Sequence, residues 1–90
     1  MNVIQPTLFA VINKYPEFRE EALQLFRHND EFKGLCMDYR DCMNAFRHWS
    51  RLENGEALKR KAEYEDLLME LEAEILESLG QTRAGAGPLP

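Results

Sequence analysis

Phe18, Leu25, Phe32, Tyr39 and Phe46 follow one another at intervals of seven through the middle of the chain. Seven residues make two turns of an α-helix, but an odd interval throws a strand residue onto the opposite face, so the repeat commits this region to helices. Phe32, Leu35, Cys36, Tyr39, Cys42, Met43, Phe46 and Trp49 fill the same seam, advancing by three, one, three, three, one, three and three. No sustained alternation or β-branched run bounded by turn residues competes with this pattern. The expected fold class is all-α.

Proline, asparagine and glycine divide the helical pattern. Ile4, Leu8, Val11, Ile12 and Tyr15 share one face of a first helix starting near Pro6. Pro16 ends it, because proline disfavours the helical conformation in the preceding residue, and then opens a second helix with Glu17, Glu20 and Glu21 at its N-terminus. At "RHNDEF" Asn29 or Asp30 can cap a new helix reaching about Leu52, the alternative being one continuous helix from Pro16. "ENGE" at 53–56 is expected to reverse the chain, since Asn-Gly tolerates left-handed backbone. The last helix is expected from about Glu56 to Leu79. Its apolar stripe is Leu58, Ala62, Tyr64, Leu67, Leu68, Leu71, Ile75 and Leu79, and Gly80 is its stop. Residues 81–90, "QTRAGAGPLP", lose the periodicity and read as a disordered tail, leaving 1–80 as a single helical domain.

Two long helices of about 24 residues each, joined by a short turn, are expected to form a long antiparallel, coiled-coil-like hairpin. One or two shorter N-terminal helices complete a small bundle. The core seam pairs the residues from Phe32 to Trp49 named above with Tyr64, Leu68, Leu71 and Ile75. A domain of this size buries too little surface to be strongly stable alone, so a homo-oligomer, a dimer first of all, is expected.

Cys36 and Cys42 stand in line with the aromatic rings and read as small core residues. They lie six positions apart, about 9 Å along a helix axis, which suits neither an intrachain disulfide nor the close Cys pairs of zinc sites. His28 and His48 lack the glycine-rich turn or nucleophile elbow that a catalytic Cys-His arrangement would need, and read as structural or solvent-facing. The carboxylates lie on helix surfaces. No enzyme activity, cofactor, metal or small-molecule ligand is expected. No charged stretch followed by an apolar run opens the chain, no segment approaches a membrane span, and two cysteines make no disulfide framework; the expected compartment is a reducing cytoplasm.

Charge is distributed unevenly. Arg47, Arg51, Lys59, Arg60 and Lys61 gather around the turn, whereas Glu65, Asp66, Glu70, Glu72, Glu74 and Glu77 continue to the far end of the last helix without a base. The basic tip and the acids Glu70, Glu74 and Glu77 form the candidate interaction surface, and two copies packed head to tail would set each against the other. Balance by neighbouring side chains, Arg19 and Arg27 among them, is the alternative. A net charge of −5 argues against nucleic acid as the main partner, although the basic tip keeps a small nucleic-acid-binding regulator as one alternative and the cysteines keep a metal- or redox-sensing protein as another.

"NDEFKGLCMDYRDCM", residues 29–43, has a polar cap, a Phe, a Leu three later and an aromatic four after that. With "LKRKAEYEDLLMELEAEIL", residues 58–76, it resembles the YdcH-like family of short bacterial proteins. The resembling parts cover less than half of the chain, and the second helix here is more acidic than the family's usual Lys-rich one. The resemblance implies a helical hairpin with no assigned catalytic activity or cofactor. The function expected is a non-enzymatic helical module for self-assembly or for docking to another protein.

Overall fold

The computed structural model describes residues 6–86. Among them every element is helical: α1 (Pro6–Lys14), a 3-10 turn (Pro16–Phe18), α2 (Arg19–His28), α3 (Asp30–Ser50) and α4 (Gly55–Ala86). Ile4, expected on the first helix, and the last four residues of the expected tail lie outside the described residues.

Proline opens α1, where its missing N–H costs nothing, and Thr7, Leu8, Val11 and Ile12 turn inward. The chain leaves α1 at Tyr15. Pro16 does not start an α-helix directly as expected; Phe18 N–H reaches back to the Tyr15 carbonyl at 3.0 Å and closes a tighter 3-10 turn before α2.

Asn29 separates α2 from α3. Its backbone is extended and its side-chain oxygen accepts the Phe32 N–H at 3.0 Å, so a cap interrupts the helix and the continuous alternative is excluded. Asp30 and Glu31 then occupy the first turn of α3 and Arg47 and His48 the last, the order that complements the helix dipole. Asn54 acts at the other break. It was expected to supply left-handed backbone, yet no described residue has positive φ; its side chain accepts the Ala57 N–H at 2.8 Å and Gly55 is the first residue of α4. Removing either cap by Asn29→Ala or Asn54→Ala is expected to lower stability by about 1 kcal/mol in urea unfolding, with Asn→Asp retaining most of it.

α4 corrects two expectations. It continues through Gly80 to Ala86, so residues 81–86 are helix rather than tail, and the two long helices are unequal at 21 and 32 residues. A mid-helix glycine costs only about 1 kcal/mol, and side chains secure the turns beyond it. Thr82 donates to the Ser78 carbonyl at 2.9 Å. Arg83 binds the Glu21 carboxylate at 2.7 Å and the Glu17 carbonyl, with its guanidinium 4.1 Å from the centre of the Phe18 ring.

The core joins α1, α2, α3 and α4. From the expected seam Phe32, Cys36, Tyr39, Cys42, Leu71 and Ile75 are buried, and Leu35, Met43, Tyr64 and Leu68 pack half-buried against them. Phe46 and Trp49 are half-buried outside that cluster. Leu8, Val11, Ile12, Ala22 and Leu79 complete the core. Leu58, Ala62 and Leu67, expected on the inner stripe of α4, are exposed. Ala57, Tyr64, Leu68, Leu71, Ile75 and Leu79 take the inner side, and one helix rotation cannot bury both sets.

Candidate interaction surface

Between α3 and α4 the contacts step in opposite senses. Tyr39 donates its hydroxyl to Glu72 Oε2 at 2.8 Å, and three residues further along α3 the Cys42 thiol reaches the Tyr64 carbonyl at 3.5 Å. The 51–54 turn therefore sits at one end of the pair, with the first turns of α4 beside the last turns of α3. Arg47, Arg51, Lys59 and Arg60 are exposed there and Lys61 is half-buried, its ammonium 5.9 Å from the Phe46 ring centre.

The charges at this tip are not equivalent. Arg60 is matched within its own helix by Glu56 at 3.1 Å and Glu63 at 3.2 Å, contacts that hold its guanidinium above its ordinary pKa. Arg47, Arg51 and Lys59 make no ion pair among the described residues. At the other end Glu70, Glu74 and Glu77 are exposed, and Gln81 donates to Glu77 at 3.3 Å. Glu74 and Glu77 border an open groove of about 510 Å³ with Glu31 and Asp38 across it. Lys59 and Glu77 are about 27 Å apart along α4, so the bases and acids of the candidate surface do not neutralise one another within the chain.

Two charged residues carry contacts that the sequence reading did not assign. Glu72 was grouped with the unbalanced acids but holds the buried Tyr39 hydroxyl and lies 3.8 Å from Lys14 Nζ. Burial first, then the hydrogen bond to Glu72, drives the Tyr39 phenol well above its ordinary pKa, while burial and the Glu72 and Glu17 charges raise that of Tyr15. Arg83, placed in the expected tail, ties α4 to the start of α2, and its hydrogen bond holds Glu21 below the ordinary carboxylate range. The available signal was spacing. Arg83 follows Leu76 by seven and Leu79 by four, in phase with α4 rather than independent of it.

Both cysteines are free and buried. Desolvation pushes the Cys36 thiol up to about 12 and raises that of Cys42, the reverse of the acidified thiols that react or sense. Among the described residues no group of three or more His, Cys, Asp or Glu side chains converges as a metal site. His28 and His48 are both exposed, and His48 stands edge-on to Trp49 with ring centres 5.1 Å apart. No described helix is long and apolar enough to cross a membrane. No family model, curated protein or solved structure matches the chain.

Proposed function

We propose that the chain is a non-enzymatic helical interaction module in which α3 and α4 form an antiparallel hairpin, braced by α1 and α2. Its outer surface meets another protein, first of all a second copy. The carrying observation is that large apolar side chains stay in water although the domain has a core of its own. Leu58, Leu67, Met69 and Leu76 on α4 are exposed, as are Phe9, Met37 and Leu52 elsewhere. The YdcH-like resemblance suits the same reading. A reducing cytoplasm is the compartment that suits two free thiols.

The mass in solution tests self-association. Sedimentation over a range of protein concentrations, at low and at high salt, is expected to give a dimer; a monomer at every concentration and both salts would overturn it. Nucleic-acid binding through the tip has less support, because Arg60 is locally matched and the net charge of the chain is −5.

A further inference from the structure

α4 carries a second apolar stripe opposite in use to the one that it buries. Leu58, Ala62, Met69, Ala73 and Leu76 advance by four, seven, four and three, so they share one flank of the helix. All are exposed: Leu58 is 65%, Met69 64% and Leu76 43% accessible, and Ala62 and Ala73 lie open beside them. The stripe reaches Gly80, where an added Cβ would meet nothing within 4 Å. It is interrupted by Glu65, which is exposed on its edge.

We propose that this outer stripe is a homodimer interface, in which α4 of one copy lies antiparallel on α4 of a second copy across a twofold axis at Met69. The inference rests on the self-association reading above and names its surface, register and direction. Met69 is midway between Leu58 and Gly80, so an antiparallel pairing about it sets Leu58 on Gly80, Ala62 on Leu76, Glu65 on Ala73 and Met69 on its own counterpart, each large residue against a small one away from the axis. Alanine and glycine at those positions let the two helices approach closely.

Charge selects the second copy and its direction. Lys59 and Glu77 lie on the same side of the stripe, one beside each end, and each is exposed. In the antiparallel register Lys59 of one copy meets Glu77 of the other, and the twofold repeats the contact. A parallel pairing would instead keep every Lys59 about 27 Å along the axis from every Glu77 and make no such contact. Nearer the axis Asp66 of one copy meets Glu70 of the other, and these contacts oppose the pairing. The apolar stripe therefore holds the interface, and the outer charges orient it.

Single-cysteine crosslinking separates this proposal from the broader one. With both native thiols buried, Met69→Cys introduces a readily accessible thiol, and a short bifunctional maleimide is expected to convert most of the protein to a covalent dimer. Leu58→Cys alone is expected to give none, because its counterparts lie about 33 Å apart along the antiparallel pair; Leu58→Cys that crosslinks as well as Met69→Cys would overturn the antiparallel register. Met69→Lys is expected to raise the dimer dissociation constant by about tenfold or more without changing the circular dichroism of the monomer, since the side chain is exposed. Lys59→Glu is expected to weaken the dimer and Lys59→Glu with Glu77→Lys to restore it. A dimer unaffected by Met69→Lys and not linked through Met69→Cys overturns this interface while leaving self-association standing. A monomer at all concentrations overturns both.

Discussion

Ile75→Ala is expected to destabilise the folded chain by about 3 kcal/mol, whereas Leu67→Ala on the same helix is expected to cost less than about 1 kcal/mol. Both residues fit an apolar stripe when the sequence is read alone, but Ile75 is 0% accessible inside the four-helix core and Leu67 is 41% accessible. Truncating a buried Ile removes transfer free energy and leaves a cavity that close-packed neighbours cannot refill. Truncating an exposed Leu loses only partial contacts. Against a total stability of roughly 5 to 15 kcal/mol for a domain, the first change is a large fraction. Urea unfolding of the two variants decides the point, and equal losses would mean that the inner side of α4 has been assigned wrongly.

Raising the pH from about 9 to about 12 is expected to destabilise the chain progressively, because burial keeps the Cys36 thiol protonated in the fold across that window. The sign follows from proton counting. In the unfolded chain Cys36 ionises near its ordinary value of 9.0, while in the fold burial holds its proton up to about 12. Within that window the unfolded state binds fewer protons than the native state, so stability falls as pH rises; below it the contribution of the buried thiol is complete. Cys42, Tyr15 and Tyr39 are raised as well and add with the same sign. Urea midpoints at pH 8 and pH 11 measure the loss, and Cys36→Ala should flatten the slope although it costs stability at neutral pH. In the native protein at pH 8, Cys36 should react with a thiol reagent only on unfolding; stability undiminished at pH 11, or rapid labelling of the folded chain, would contradict the account.

Much of the secondary structure was legible because its causes are local. The seven-residue interval from Phe18 to Phe46 requires helices whatever they pack against, and Asn29 and Pro16 mark breaks through groups within a few residues of themselves. Gly80 shows the limit of that logic. Local preference favours ending the helix there, and contacts more than sixty positions away in sequence, from Arg83 to Glu17 and Glu21, accompany its continuation. Asn54 was located correctly as a break, but capping geometry replaced the expected left-handed turn.

The charged surface was legible as an inventory. The gathering of Arg47, Arg51, Lys59, Arg60 and Lys61 around the turn follows from order along the chain once the turn is placed. Which of them are neutralised does not. Arg60 is matched through neighbours three and four residues away, a pairing visible in the sequence, whereas Glu72 is engaged by Tyr39 and Lys14 from other helices.

By itself the sequence determined that the chain is helical, where its central breaks fall and which side chains could share a face, because helix period, caps and proline geometry act over a single turn. The tertiary structure alone decided which of the two apolar stripes of α4 faces inward. Leu71 with Ile75 and Met69 with Leu76 satisfy the same period equally well. The choice depends on the rotation of α4 against Tyr39 and Cys42 of α3 and against the helices before them, a relation between distant segments that no local spacing records.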